Sequence, residues 1–245
     1  MKTEELKIKV GNEEMFAFVA APDGKGGHPA VIVFEEIFGI NKFLREIATR
    51  LAGEGYLAIA PDVHHRAWPV GTVIPYGEDG MKKGMAVIPK LTSDGITADV
   101  NATLAYLKTR TDVRHDKLGA IGFCIGGHMA YLTAATQPIN ATASFYGGGI
   151  ANFSPGGGAP TVTKSKGIKG RIICFFGGKD PMISKENVET IKRALDENKV
   201  RHEVVVYDDA SHAFMCDAAE RHSYDAKAAA DAWERTKKMF KEELG

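Results

Sequence analysis

The chain has 245 residues, of which 44% are hydrophobic and 25% are charged, so it is long enough to bury a substantial core. Its 31 lysines and arginines balance its 31 aspartates and glutamates, which argues against nucleic acid or a membrane surface as a partner. The sequence contains neither an apolar leader nor an apolar run of membrane-spanning length, so we expect a cytoplasmic protein.

The first part of the chain predicts a hairpin followed by a strand, a helix and a strand. Residues 6–10 and 15–21 are apolar or alternating segments on either side of a turn, which is typical of paired strands. Residues 30–34 form a continuous apolar run, as expected for a central strand covered on both faces. A helix over 41–53 and a strand over 56–60 follow, and this order predicts parallel pairing.

The remainder continues the same alternation after one interruption. An insertion at about 63–92 is rich in proline, glycine and aromatic residues, and a loop of that length is usually functional. Further helices are expected over 99–108, 128–135, 185–198 and 217–244, and further strands over 118–123, 141–146, 171–176 and 202–207. We predict a single α/β domain over residues 1–245, built on one mostly parallel sheet with helices on both faces and the hairpin at its N-terminal end.

The segment from Gly122 to Gly126 places Cys124 between an apolar strand and a helix, with a glycine two residues away on each side. This is the spacing of a nucleophile elbow, with sulfur in place of the serine oxygen. The amides at the start of the helix would favour a thiolate and an oxyanion beside it. The alternative is an ordinary buried core cysteine. With Cys174 and Cys216, the chain has three cysteines without metal-ligand spacing, so neither a disulfide framework nor a metal site is predicted.

Two more reactive side chains are expected at the same edge of the sheet as Cys124. Asp180 follows a later strand, and His212 lies in the loop after the last strand. The order of nucleophile, acid and base is that of the α/β-hydrolases. Taken singly, Asp180 could cap the helix after it, and His212 could be a hydrogen-bonded loop histidine. Their joint occurrence in the right order favours a catalytic triad.

Four motifs together resemble the dienelactone hydrolase (carboxymethylenebutenolidase) family: EIFGIN at 36–41, GFCIGG at 122–127, GKD at 178–180 and ASHAF at 210–214. The resemblance runs from about Lys7 to the terminal helix and is weakest in the insertion. It implies an α/β-hydrolase fold and a cysteine hydrolase that needs no cofactor. The implied partner is a small-molecule ester or lactone, the family substrate being a dienelactone formed in aromatic ring degradation.

The resemblance also implies a role for each site residue. Cys124 would attack the acyl carbon as a thiolate, His212 would move the proton, and Asp180 would orient the imidazole. The backbone N–H groups of Ile37 and Ile125 would form the oxyanion hole.

Glu36 is the unusual member of the predicted site, because a carboxylate beside the nucleophile repels a thiolate. In the family this glutamate is understood to hold the resting thiol and to take up its proton when substrate displaces it, so that binding activates the nucleophile. The alternative is a solvated carboxylate at the end of a strand. Glu35 is predicted to point to the other side and to be structural.

The residues expected to bind substrate depart from the family pattern. The family implies two arginines for a substrate carboxylate, one in the insertion and one four residues beyond the histidine, where this chain has Cys216. Lys82 and Lys83 could replace the first, although a solvated loop is their alternative, and Arg221 could reach the site instead. Four aromatic residues are expected to line an apolar pocket for the acyl group: Phe38, Trp68, Tyr76 and Tyr146. The alternative is that they only pack the insertion onto the sheet.

Three functions therefore remain open at the level of sequence. The first is a dienelactone hydrolase-like enzyme, the second is a general carboxylesterase or thioesterase, and the third is a non-catalytic protein that binds a small molecule. A monomer or small homo-oligomer is expected. Asp62, His64 and His65 could be drawn as metal ligands, but no further ligand spacing supports that interpretation.

Overall fold

Eight strands form one sheet in the computed structural model, which describes residues 1–24 and 26–245. The strands are β1 (Lys2–Val10), β2 (Glu13–Ala21), β3 (His28–Phe34), β4 (Leu57–Pro61), β5 (Val113–Phe123), β6 (Ala141–Phe145), β7 (Arg171–Gly177) and β8 (His202–Tyr207). Their order across the sheet is β1-β2-β4-β3-β5-β6-β7-β8. The β1–β2 and β2–β4 pairs are antiparallel, and the five remaining pairs are parallel.

Helices cover both faces of this sheet. They are α1 (Lys42–Gly53), α2 (Glu78–Met85), α3 (Ser93–Thr109), α4 (Ile125–Thr136), α5 (Lys185–Glu197) and α6 (Ala226–Leu244). Phe43 of α1 and Phe240 of α6 belong to one buried apolar cluster, whereas Val100 of α3 and Met129 of α4 belong to a second. Among the residues described, no helix is both long enough and apolar enough to cross a membrane.

The predicted mostly parallel sheet with an N-terminal hairpin is confirmed, but three helices begin elsewhere than expected. The helix α4 begins at Ile125, directly after Cys124, and not at His128. The helix α3 starts earlier, because the Thr92 hydroxyl accepts a hydrogen bond from the N–H of Gly95 and caps it. The terminal helix α6 starts later, because the Asp225 carboxylate accepts hydrogen bonds from two N–H groups of its first turn. Residues 217–225 are therefore a loop, which is what allows Arg221 to reach the strand ends.

The predicted insertion lies against the loop that follows β3. The N–H of Ile74 donates to the carbonyl of Phe38 at 3.0 Å. Gly84 of α2 lies so close to this loop that a Cβ atom there would be 2.8 Å from the carbonyl oxygen of Ile37. Gly39 has φ of +79°, and a Cβ there would be 2.3 Å from the carbonyl oxygen of Thr72. The insertion therefore forms one wall above the carboxyl ends of the strands.

Candidate active site

The carboxyl ends of five neighbouring strands carry the candidate site residues. Glu36 follows β3, Cys124 follows β5, Tyr146 follows β6, Asp180 follows β7 and His212 follows β8. Because β3, β5, β6, β7 and β8 are adjacent and parallel, these residues meet at one edge of the sheet.

Cys124 occupies a sharp turn between β5 and α4. Its φ of 57° and ψ of −122° put a non-glycine residue in a region that costs about 1–3 kcal/mol. The flanking glycines are required by space: a Cβ at Gly122 would be 1.9 Å from the carbonyl oxygen of Gly126, and a Cβ at Gly126 would be 2.4 Å from that of Phe34. The chain thus folds into the elbow geometry that its glycine spacing predicts, with Cys124 8% exposed at the tip.

The backbone beside Cys124 offers two N–H groups to a developing negative charge. Ile125 is the first residue of α4, and Ile37 lies in the loop after β3. Among the hydrogen bonds of residues 1–24 and 26–245, neither N–H has an acceptor. Two N–H groups without an acceptor in this part of the chain are therefore available at these positions, as an oxyanion hole would require.

His212 and Asp180 form a short charge-assisted pair. The Nδ1 atom of His212 lies 2.7 Å from Oδ2 of Asp180, and the other oxygen of Asp180 accepts from the N–H of Met182 at 2.8 Å. Burial disfavours the cationic imidazole, but the charge of Cys124 and the bond to Asp180 outweigh it and raise the pKa of His212 to about 10. The surroundings thus favour the cationic form of the His212 imidazole.

This pairing predicts how stability depends on pH. The pKa of His212 is raised from 6.5 to about 10 on folding, so its contribution is fully present below pH 6.5 and is lost as the pH rises through about 10. In Cys124→Ala the sulfur charge is absent and the folded-state pKa of His212 should be lower, so we expect the decline to start near pH 6.5 in both proteins but to be smaller and to end at a lower pH in the variant. Chemical denaturation of both proteins between pH 6 and pH 10 measures this, and identical pH profiles would contradict the pairing.

Glu36 is buried and is paired with a cation. It is 2% exposed, and its Oε1 lies 3.4 Å from Nη2 of Arg221. Burial raises the pKa of Glu36, while the positive charges of Arg221 and His212 oppose that rise. Glu36 is therefore not the solvated carboxylate that the sequence left as an alternative.

Arg221 reaches the site from the loop before α6. Its guanidinium lies over the rings of Phe38 and Tyr76, 5.2 Å from each ring centroid. The two rings meet edge to face at 4.8 Å. Phe38, Tyr76 and Arg221 therefore form one continuous wall that ends at Glu36.

Cys216, at the position where the family pattern has an arginine, is a fully buried thiol. Its sulfur lies 3.3 Å from the hydroxyl of Tyr76, which also accepts a hydrogen bond from the amide of Asn41 at 2.9 Å. Asn41 caps α1 as well, through the N–H of Leu44. Asn41 was not among the predicted site residues, although its place at the end of the EIFGIN motif was a signal.

Tyr146 lies directly beside the imidazole. It is fully buried, its ring centroid is 5.1 Å from that of His212, and its φ of 39° is unusual for an aromatic residue. Burial, with smaller contributions from Glu36, Cys216 and Cys124, holds the pKa of its phenol well above the ordinary value. Tyr146 is therefore an uncharged hydroxyl that can donate a hydrogen bond inside the site.

Four buried polar atoms of this site have no hydrogen-bond partner among residues 1–24 and 26–245. They are Oε2 of Glu36, the hydroxyl of Tyr146, Nε2 of His212 and Nη1 of Arg221. Each buried, unpaired polar group costs about 1–3 kcal/mol, and native proteins tolerate few of them. Their convergence marks a pocket equipped with donors and acceptors for a polar ligand.

Among the residues that the structure describes, three of the predicted substrate-binding residues make no hydrogen bond, ion pair or aromatic contact with Glu36, Tyr146, His212 or Arg221. Lys82 is exposed on α2 and pairs with Glu78 at 3.3 Å, and Lys83 is also exposed. Trp68 packs under the ammonium group of Lys90, 4.9 Å from its ring centroid. Within the described part of the chain, no hydrogen bond or ion pair joins either of Lys82 and Lys83 to the site. Nor does that part contain a group of three or more His, Cys, Asp or Glu side chains placed to hold a metal ion.

Comparison with known proteins finds similarity along nearly the whole chain. The model of the dienelactone hydrolase family matches residues 15–244. A protein from Synechocystis, provisionally named carboxymethylenebutenolidase, is 40% identical over 244 residues, covering 100% of this chain and 98% of its own. The carboxymethylenebutenolidase of Rhodococcus opacus is 29% identical over 230 residues, covering 93% and 86%.

Solved structures agree with the sequence matches. The crystal structure of a provisionally assigned dienelactone hydrolase from Klebsiella pneumoniae superposes with a TM-score of 0.86 at 31% identity. That match covers 98% of each chain. The similar region therefore includes every strand end that carries a candidate site residue.

Proposed function

Because the chain belongs to the dienelactone hydrolase family and acts on ester or lactone bonds, we propose that Cys124 is its nucleophile, with His212 as base and Asp180 as the orienting acid. The observation that carries the proposal is the placement of Cys124 at a strained elbow opposite an imidazole whose pKa its charge helps to raise to about 10. A buried core cysteine needs neither the strained backbone nor the Asp180–His212 pair.

Acylation begins when the Cys124 thiolate attacks the acyl carbon. A C–S bond forms, and the carbonyl oxygen becomes an oxyanion that accepts hydrogen bonds from the N–H groups of Ile37 and Ile125. The C–O bond of the ester or lactone then breaks, and the imidazolium of His212 gives its Nε2 proton to the leaving oxygen. In a lactone the leaving oxygen remains attached to the acyl group, so nothing is released at this step.

Deacylation uses the same groups in reverse. His212 takes a proton from water, and the hydroxide attacks the thioester carbon within the same oxyanion hole. The C–S bond breaks, the carboxylic acid product forms, and Cys124 returns as a thiolate. Asp180 holds the imidazole orientation in both half-reactions.

Glu36 is proposed to control when the nucleophile is active. Its carboxyl is buried beside the site and is held by Arg221 at the long distance of 3.4 Å. A substrate carboxylate that bound Arg221 would compete with Glu36 for the guanidinium and release it. The freed carboxyl then accepts the proton of any Cys124 that is still a neutral thiol, so that substrate binding increases the fraction of active nucleophile.

A lactone that carries a carboxylate is the substrate class favoured by Arg221, whose Nη1 atom is buried and unpaired. A dienelactone has this character. A general carboxylesterase is the second candidate, and it is favoured by Cys216, which leaves the site without a second arginine. Comparing kcat/KM for a carboxylate-bearing lactone and for its neutral methyl ester separates the two. Preference for the carboxylate supports the lactonase, equal turnover supports the esterase, and binding of either compound without turnover would contradict both.

Arg221→Gln is expected to affect one class of substrate selectively. Loss of the cation should raise KM for the carboxylate-bearing lactone by about 10–100-fold, because a charge-assisted hydrogen bond contributes about 1.5–3 kcal/mol. Turnover of the neutral methyl ester should change by less than about threefold. Arg235→Gln is the matched control, since Arg235 is on α6 and pairs with Asp231 at 2.7 Å. Equal losses on both substrates would show that Arg221 supports the fold and does not bind the carboxylate.

A further inference from the structure

Glu35 joins two of the loops that build the site. It lies between the end of β3 and Glu36, and its side chain is fully buried. Its Oε1 accepts a hydrogen bond from the N–H of His64 at 3.3 Å and lies 3.5 Å from Nδ1 of the same histidine. His64 is in the loop that follows β4. The side chain of Glu35 therefore ties the β3 loop to the β4 loop.

The backbone at the same place is pressed against the elbow helix. A Cβ atom at Gly126 would be 2.5 Å from the carbonyl oxygen of Glu35, so helix α4 begins in direct contact with it. Ile125 precedes this glycine, and Ile37 follows Glu35 by two residues. Glu35 thus lies in direct contact with the start of α4, between the segment that carries the Ile37 N–H and the helix turn that carries the Ile125 N–H.

The two basic side chains that follow His64 in the same loop pair with other carboxylates. Arg66 donates from Nη1 to Asp99 at 2.6 Å, and Nε2 of His65 lies 3.0 Å from the same carboxylate. Arg66 also pairs with Glu13 at 3.0 Å. Among the described residues, the one ionisable group within ion-pair distance of Glu35 is the ring of His64.

The surroundings of Glu35 therefore disfavour its charge. Burial and the nearby charge of Asp62 hold the pKa of Glu35 well above its usual range, although the N–H groups of Val63 and His64 oppose this. Burial also lowers the pKa of His64 to about 3, so that ring is neutral and supplies no counterion. A charged carboxylate here would be buried without a partner, which is strongly unfavourable.

We propose that Glu35 is a positioning residue for the oxyanion hole, an uncharged carboxyl of fixed length that holds the Ile37 N–H at its working distance from the Ile125 N–H. Glu35 takes no part in proton transfer. The inference rests on the proposed function, since it presupposes a thiolate attack that generates an oxyanion.

Two variants separate the length of Glu35 from its ability to ionise. Glu35→Gln keeps the length and an oxygen acceptor but cannot carry a charge, whereas Glu35→Asp keeps the carboxyl but shortens the tie by one methylene. Asp99→Asn is the matched control, because it removes a buried carboxylate of the same cluster that does not bond the β3 loop.

Two reactions of Cys124 provide the readout. Acylation by an activated aryl ester, followed as the burst of released phenol, develops an oxyanion. Alkylation by iodoacetamide is a displacement at carbon and develops none. A change confined to the oxyanion hole should slow the first reaction and leave the second unchanged. A change in the thiolate or in general folding should slow both.

We expect Glu35→Gln to acylate within about twofold of the parent and Glu35→Asp to acylate about tenfold or more slowly, less than the 100-fold or greater loss of a deleted oxyanion donor. Both should be alkylated within about twofold of the parent, and KM should change by less than about threefold. Asp99→Asn should keep the parent ratio of the two rates. Circular dichroism establishes that each variant is folded.

Three outcomes would overturn the proposal: a normal rate of acylation in Glu35→Asp, a parallel loss of acylation and alkylation in that variant, or a loss in Glu35→Gln as large as in Glu35→Asp. Failure of the proposed function has a different signature. In that case Cys124→Ala would retain the burst, whatever the behaviour of the Glu35 variants.

Discussion

Cys124→Ala is expected to lower kcat/KM for esters and lactones by at least about 10³-fold, because it removes the atom that forms the covalent intermediate. Cys124→Ser should be nearly as impaired, since a serine hydroxyl is far harder to deprotonate than a thiol. Steady-state kinetics on a lactone and on a neutral ester measure both effects. The elbow backbone and the Asp180–His212 pair remain in each variant, so the loss reports on the sulfur.

Cys174→Ala is the matched control for this prediction. Cys174 is a fully buried thiol in β7, and burial raises its pKa to about 12, which leaves it unreactive. Its replacement should cost some stability but leave kcat within about twofold of the parent. Wild-type turnover in Cys124→Ala, or an equal loss in Cys174→Ala, would contradict the assignment of Cys124 as nucleophile.

Asp180→Asn is expected to lower kcat by about 10³–10⁴-fold with a much smaller change in KM. The asparagine side chain is nearly isosteric, and its oxygen can still accept from the N–H of Met182. It cannot stabilise the cationic imidazole, however, and the pKa of His212 should fall because the bond to Asp180 is one of the causes that raise it. Kinetics over a range of pH measure the loss and the shift together.

Asp209→Asn is the control for that experiment. Asp209 lies three residues before His212 in the same loop and forms an exposed ion pair with Lys179 at 2.7 Å. Exposed pairs contribute little, so its replacement should leave kcat and the pH profile unchanged. If Asp180→Asn behaves in the same way as Asp209→Asn, Asp180 is only a turn residue that accepts a hydrogen bond from the N–H of Met182, since Ser184 is the residue that caps α5.

The parallel part of the sheet was predictable because its central strands have continuous apolar sequences. Residues 30–34 and 56–60 are apolar without alternation, which is the pattern of parallel strands covered on both faces. The first and last residues of the helices were harder to predict from sequence, because they depend on which of several possible residues caps the helix. Nothing in the composition of residues 217–225 distinguishes a loop from the alanine-rich helix that follows, yet Asp225 ends that loop by capping α6.

The positions of the proposed triad residues at the strand ends could be predicted from local spacing, whereas the wall formed by Phe38, Tyr76 and Arg221 could not. Gly122 and Gly126 identify the elbow because the turn has no space for a Cβ at either position. The position of Arg221 depends on how the loop before α6 folds, which no local pattern encodes. For Lys82 the sequence could not distinguish a site residue from an exposed residue of a short helix, and the structure finds it exposed beside Glu78.

The burial of Glu35 is a further feature that could not be predicted from local sequence. The position of this residue next to Glu36 predicted that the two carboxyls point to different sides, and the structure places one against Arg221 and the other against His64. That a glutamate would be fully buried beside further acidic groups could not be inferred from sequence, because burial of a charged residue is the exception and depends on tertiary partners.

Trapping the acyl-enzyme would show whether Cys124 is the residue that forms the covalent intermediate. A His212→Asn variant, which lacks the base for deacylation, should be incubated with an enol lactone, whose enolate can leave without the proton that His212 supplies. Its intact mass and its proteolytic peptides are then measured. Attack by Cys124 predicts a gain equal to the full mass of the lactone, located on the peptide that contains Cys124 and absent from the same protein carrying Cys124→Ala. An adduct on any other residue, or turnover without an adduct in a protein that still has Cys124, would contradict it.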